Sequence, residues 1–209
     1  MFPQLERVTM RYLTSLLVLA SSAHAIVLPS PTGPFSVGVS TNTLTDEARM
    51  DPFAPEDAPH KRKVQVSTFV PLNTTIYPCV SRSTPYMTPL VAGDYNLLAS
   101  TAGLPNTTFS SLTMGLCDIP RGKSCFKSRN ERPSVVKLSR PLLLFSPGFG
   151  QSRLLYSDMA RSLASEGYIV VTVDHPYDAT VVEFNDGSFI RGANISTDDD
   201  AVLENVIQV

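Results

Sequence analysis

Pro141-Leu-Leu-Leu-Phe-Ser-Pro-Gly-Phe-Gly-Gln-Ser-Arg-Leu-Leu-Tyr156 and Leu163-Ala-Ser-Glu-Gly-Tyr-Ile-Val-Val-Thr-Val-Asp174 decide the fold. Leu142–Phe145 is a continuous apolar run, the pattern of a strand buried on both faces. Ser146-Pro-Gly-Phe-Gly150 is a glycine-rich turn. From Ser152 to Glu166, Leu155, Met159 and Leu163 recur at four-residue steps and so share one helix face. Gly167 stands where a helix stops in a left-handed residue. Tyr168-Ile-Val-Val-Thr-Val173 reads as a second buried strand. A strand–helix–strand unit of this length predicts parallel strands joined by a right-handed crossover. The class is therefore α/β.

Working outward, Val64-Gln-Val-Ser-Thr-Phe-Val70 alternates and is β-branched, which predicts a strand ending at Pro71. Residues 26–63, rich in Pro, Thr, Ser and Asp, read as an extended arm laid over the domain. Residues 78–107 form a long connection with a short helix over Leu90 to Ala102. Phe109 to Leu116 is a weak strand, and residues 117–134 are loop with a turn at Pro120-Arg-Gly122. On the far side, Asn185-Asp-Gly187 between two β-branched or aromatic runs signals a hairpin. Ser196-Thr-Asp-Asp-Asp200 then caps a helix whose Leu203, Val206 and Ile207 share a face.

Composition narrows the function. Of 209 residues 43% are hydrophobic and 17% charged, which excludes a disordered polyelectrolyte. A net charge of −2 leaves no broad basic face for nucleic acid. Residues 1–25 have the parts of a secretory signal: basic flank, short apolar segment from Tyr12 to Ala20, and Ala23-His-Ala25 as the cut. No later apolar run approaches the ~20 residues of a membrane span. Asn73, Asn106 and Asn194 each open a glycosylation sequon. Signal and sequons together predict secretion of residues 26–209 as one domain. Three cysteines in an oxidising compartment leave one over. The turn at 120–122 brings Cys125 back towards Cys117, so these two are expected to pair, with Cys79 left waiting. Lys61-Arg-Lys63 reads as a solvated entry into the next strand, with dibasic processing as the alternative.

A glycine-rich turn between strand and helix serves either phosphate binding or an oxyanion hole. Gly148-x-Gly150 with Asp174 superficially fits a dinucleotide fingerprint, but the third glycine position is Arg153. In an α/β-hydrolase the same turn aims a backbone N–H at the oxygen that becomes negative during acyl transfer. The blocks at 141–156 and 163–179, with Val181-Val-Glu-Phe-Asn-Asp-Gly187, resemble the platelet-activating-factor acetylhydrolase family, its secreted fungal-type branch most of all. Pro31-Thr-Gly-Pro-Phe-Ser-Val-Gly38 and Asp51-Pro-Phe-Ala-Pro55 are similar too. The resemblance implies an α/β-hydrolase with a mostly parallel sheet. It implies a serine esterase that removes a short sn-2 acyl group from an ether phospholipid, without cofactor or metal. It also implies that the Phe149 N–H is an oxyanion donor. Pro147 stands where many relatives carry histidine; proline removes one donor and leaves the Phe149 N–H free.

The rest of such a site is missing from the sequence. No Gly-x-Ser-x-Gly elbow occurs: Ser40 lacks the final glycine, and Ser152 is followed by Arg153 and Leu154. Ser152 reads as a helix cap. His24 leaves with the signal, His60 lies in the arm, and His175, with Asp174, reads as a loop-ordering group. Nucleophile, acid and base are expected beyond Val209, which makes the chain the N-terminal part of an α/β-hydrolase domain. A secreted non-enzymatic remnant that binds lipid or a partner is the alternative.

Overall fold

The computed structural model describes residues 25–72, 79–119 and 140–193. A mixed sheet runs in the order β1-β5-β2-β3-β7-β6, with β4 paired to β5. These strands are β1 (Ile26–Val27), β2 (Ser36–Met50), β3 (Lys61–Leu72), β4 (Ser81–Pro85), β5 (Leu112–Cys117), β6 (Leu142–Phe145) and β7 (Ile169–Asp174). Helix α1 (Pro89–Thr101), the short α2 (Thr108–Ser111) and α3 (Ser157–Ser165) accompany them, and β8 (Val181–Glu183) and β9 (Phe189–Arg191) form a separate hairpin.

The unit at 141–174 has the predicted strand–helix–strand order, but the helix buries the face of Ala160 and Ala164, and Met159 is exposed. Strands β6 and β7 are parallel, with Leu142 beside Ile169 and Phe145 beside Thr172. Helix α3 crosses between them, placing Ala160 and Ala164 in the core against Val170 and Phe69. Small residues let the helix approach the sheet closely. Gly167 stops the helix with φ of 108°, a conformation that a side chain disfavours.

Several expectations need correction. The arm at 26–63 contains the longest strand of the sheet. Strand β2 pairs antiparallel with β3 from Ser36 opposite Leu72 to Asp46 opposite Arg62. Its threonines are β-branched and suit a pleated, half-exposed surface, so polarity there conceals a strand. Pro71 does not end β3 either; it lies within the strand opposite Val37.

The second correction concerns the cysteines. Cys79 is bonded to Cys117. Strand β4 runs antiparallel beside β5 with Ser81 opposite Cys117, which returns Cys79 to the end of β5. The expected Cys117–Cys125 pair is thereby excluded. The sequence reading treated 78–107 as connection and so overlooked the strand that makes this closure. Cys125 lies outside the described residues. The bonded pair packs with Val70, Leu72, Ile119 and Ile169.

Leu142–Phe145 is buried on one face only. Leu143 packs on the core and Phe145 on Tyr156, whereas Leu142 and Leu144 are 54% and 73% exposed. No described element covers them, and the outer edge of β6 has no partner among the described residues. Among the described residues no helix is long and apolar enough to cross a membrane.

Candidate active-site cleft

The glycine-rich turn is fixed from below and from the side. Below it, Ser152 caps a 3₁₀ turn at Arg153–Tyr156; its Oγ accepts the Leu154 N–H at 3.2 Å, as a cap does. The Ser152 N–H donates to Tyr95 Oη at 2.7 Å, and its hydroxyl donates to Asp174 at 3.4 Å. Full burial removes Ser152 as a nucleophile.

Arg153 and Asp174 form the buried centre of this arrangement. The Asp174 carboxylate accepts both the Arg153 backbone N–H and its guanidinium, and Arg153 Nε donates to Ser67 Oγ at 2.9 Å. Arg153 is 3% exposed and Asp174 is not exposed at all. Burial pushes the Asp174 carboxyl above its ordinary range, with the Arg153 charge opposing it. An acid so placed is out of reach of a ribose hydroxyl, so the dinucleotide reading fails at the residue it depends on.

From the side, the loop after β7 clamps the turn. Asp178 Oδ1 accepts the Gly150 N–H at 3.0 Å. Thr180 donates to the Gly150 carbonyl from its hydroxyl at 2.8 Å and from its N–H at 3.3 Å. Gly150 takes φ of 74°, which glycine tolerates without strain. The Phe149 N–H has no hydrogen-bond partner among the described residues, and the Phe149 side chain is half exposed.

Phe149 borders a cleft of about 550 Å³ at the C-terminal ends of β6 and β7. Open α/β sheets place their ligands at such strand ends. Phe53, Val64, Leu144, Pro147 and Val173 give the cleft an apolar wall, and Asp51, Arg62, Ser146, His175 and Asp178 add polar groups. His175 Nε2 lies 2.9 Å from Ser146 Oγ, a contact that ties the end of β7 to the turn. Burial pushes the His175 imidazole below its ordinary 6.5, against the charge of Asp178. Its Nδ1 is buried without a partner among the described residues, so no carboxylate orients it as a triad acid orients its base. The geometry agrees with a loop-ordering role for His175.

Two elements of the cleft were not legible in sequence. Asp51 and Phe53 come from the loop between β2 and β3, where the Asp51 carboxylate accepts the Phe53 N–H at 3.0 Å. That loop is held to the turn after β7 by His60, whose Nε2 lies 2.8 Å from Tyr177 Oη. Asn106 is exposed in a turn, while Asn73 and Asn194 lie outside the described residues. Among the described residues no cluster of His, Cys, Asp or Glu has the makings of a metal site.

Comparison with known proteins gives one consistent picture. The family described as "Platelet-activating factor acetylhydrolase, isoform II" matches residues 20–186. A "Probable 1-alkyl-2-acetylglycerophosphocholine esterase" of Arthroderma benhamiae is 31% identical over 191 residues, which cover 89% of this chain and 46% of that protein. The solved structure of a ferulic acid esterase from Streptomyces cinnamoneus superposes with a TM-score of 0.59 at 26% identity, over 88% of this chain and 47% of that one. The chain thus spans about half the length of these relatives.

Proposed function

Because this chain belongs to the platelet-activating factor acetylhydrolase, isoform II, family, we propose that it supplies the oxyanion side of a serine esterase for short sn-2 acyl esters of ether phospholipids. The observation that carries this reading is the Phe149 N–H, without a partner among the described residues, on a clamped turn beside an apolar cleft. A donor held before substrate arrives needs no reorganisation when charge develops on the ester oxygen. In this reading the nucleophile, base and orienting acid lie in the part of the relatives' length that this chain does not span; the chain covers 46% of the Arthroderma benhamiae relative. In this reading the carbonyl lies against the turn, the acyl chain against the apolar wall, and the Asp178 and Thr180 contacts hold the N–H in place.

The test uses the chain extended to the relatives' length, assayed on a short-chain ester. Phe149→Pro removes the donor and should lower kcat by about 10²–10³, whereas Phe149→Ala retains it and should cost far less. Equal losses in two folded variants would refute the backbone role.

We also propose that the protein is exported and glycosylated. The leader pattern, the three sequons and the Cys79–Cys117 bond support this, because stable disulfides form in oxidising compartments. Culture medium should contain a product that shifts in mass on glycosidase treatment; retention of an unglycosylated product inside the cell would reject it.

A further inference from the structure

Arg62 stands out among the charges around the cleft. It is half-buried, lies on the same face of β3 as Val64, and lines both the cleft beside Phe149 and a smaller hollow that shares Arg62, Val64 and His175 with it. Its cross-strand partner is Asp46, the acid that would ordinarily neutralise it. Asp46 is already taken: its carboxylate accepts Arg49 Nε at 2.5 Å and the Ala48 N–H at 2.9 Å.

Among the described residues the other carboxylates of the cleft form no ion pair with Arg62 either. Asp51 accepts the Phe53 N–H, and Asp178 accepts the Gly150 N–H. Lys63 turns away, with its ammonium 3.8 Å over the Phe184 ring. Arg62 therefore has no ion-pair partner among the described residues, at the rim of a mostly apolar cleft. A guanidinium so placed presents a planar fork of donors that suits a phosphodiester.

We propose that Arg62 binds the phosphodiester of a glycerophospholipid whose acyl ester lies at the Phe149 turn. This rests on the esterase reading and adds to it a specificity-determining residue: Arg62 selects the phospholipid of that reading over a neutral ester. Arg49 then has a role of its own. By holding Asp46, it keeps that carboxylate from capturing Arg62.

The test measures binding to the 209-residue chain, without turnover. The probes are monomeric dihexanoylphosphatidylcholine, dihexanoylglycerol as the neutral ester, and inorganic phosphate. The phospholipid should bind more tightly than either of the others. Arg62→Gln should weaken it about tenfold and leave dihexanoylglycerol unchanged. Arg49→Gln releases Asp46 onto Arg62 and should weaken phospholipid binding in the same direction, whereas Asp46→Asn should preserve it. Circular dichroism establishes that each variant is folded.

Two results would overturn the proposal. One is Arg62→Gln leaving phospholipid affinity intact. The other is inorganic phosphate binding as tightly as the phospholipid, which would make Arg62 a general anion contact. Hydrolysis is not read, so failure of the Phe149 test would leave this result standing, and the reverse also holds.

Discussion

The two faces of the β6–β7 pair are built from similar residues and have different fates. On one face Leu143 and Val170 lie under α3, beside the buried Arg153–Asp174 pair. On the other, Leu142 and Leu144 stand in the open next to Ile169 and Val171. That second face is itself divided, because the Cys79–Cys117 bond and Ile119 cover its Ile169 end. The difference teaches that an apolar strand sequence states what the strand tolerates on each side. It does not state which element will come to cover it.

The largest expected effect is on the covered face. Arg153→Ala leaves the Asp174 carboxylate buried without its cation and should cost about 3–5 kcal/mol. Chemical denaturation measures it. A loss below about 1 kcal/mol, within the range of a surface ion pair, would show that the pair is not an anchor of this face.

Next in size is the clamp on the other face. Cys79→Ser opens a loop of sequence separation 38 and should lower stability by about 2–4 kcal/mol. Peptide mapping without reductant should recover a Cys79–Cys117 peptide, and a Cys117–Cys125 peptide would refute the layout.

A smaller effect separates the clefts of acid and neutral conditions. The folded chain holds His175 below 6.5, so native His175 resists the proton that the unfolded chain accepts. Its contribution to stability is complete above 6.5 and is lost as pH falls towards the lower folded value. Thermal melting of wild type should therefore decline on mild acidification more than that of His175→Gln. Parallel curves would remove His175 from the pH response.

The smallest effect is expected on the bare face. Leu144→Thr removes no described contact of weight and should change stability by no more than about 0.5 kcal/mol, while reducing self-association in sedimentation. A loss of about 2 kcal/mol would mean that this face is covered in the folded chain after all.

Much of the site was legible because its signals are local. The strand, glycine turn, helix and second strand at 141–174 announce themselves by period and punctuation, and Ser152 is recognisable as a cap. What escaped was non-local or disguised. The threonine-rich β2 looks polar because half of a sheet surface meets water. The Cys79–Cys117 pairing depends on β4, five residues with no apolar pattern. Arg62 looked like one member of a basic run; its difference from Lys63 is the face of β3 on which each stands.

The sequence by itself determined the α/β class, the crossover, the turn that carries Phe149 and the family resemblance. These rest on interactions within a few residues, where spacing is geometry. Only the tertiary structure decided which cysteines bond, that Asp174 is shut in with Arg153, and that Arg62 has no counter-ion among the described residues. Each of those depends on which distant strand lies alongside. Sheet register brings together residues such as Asp46 and Arg62, or Ser81 and Cys117, that no local pattern connects.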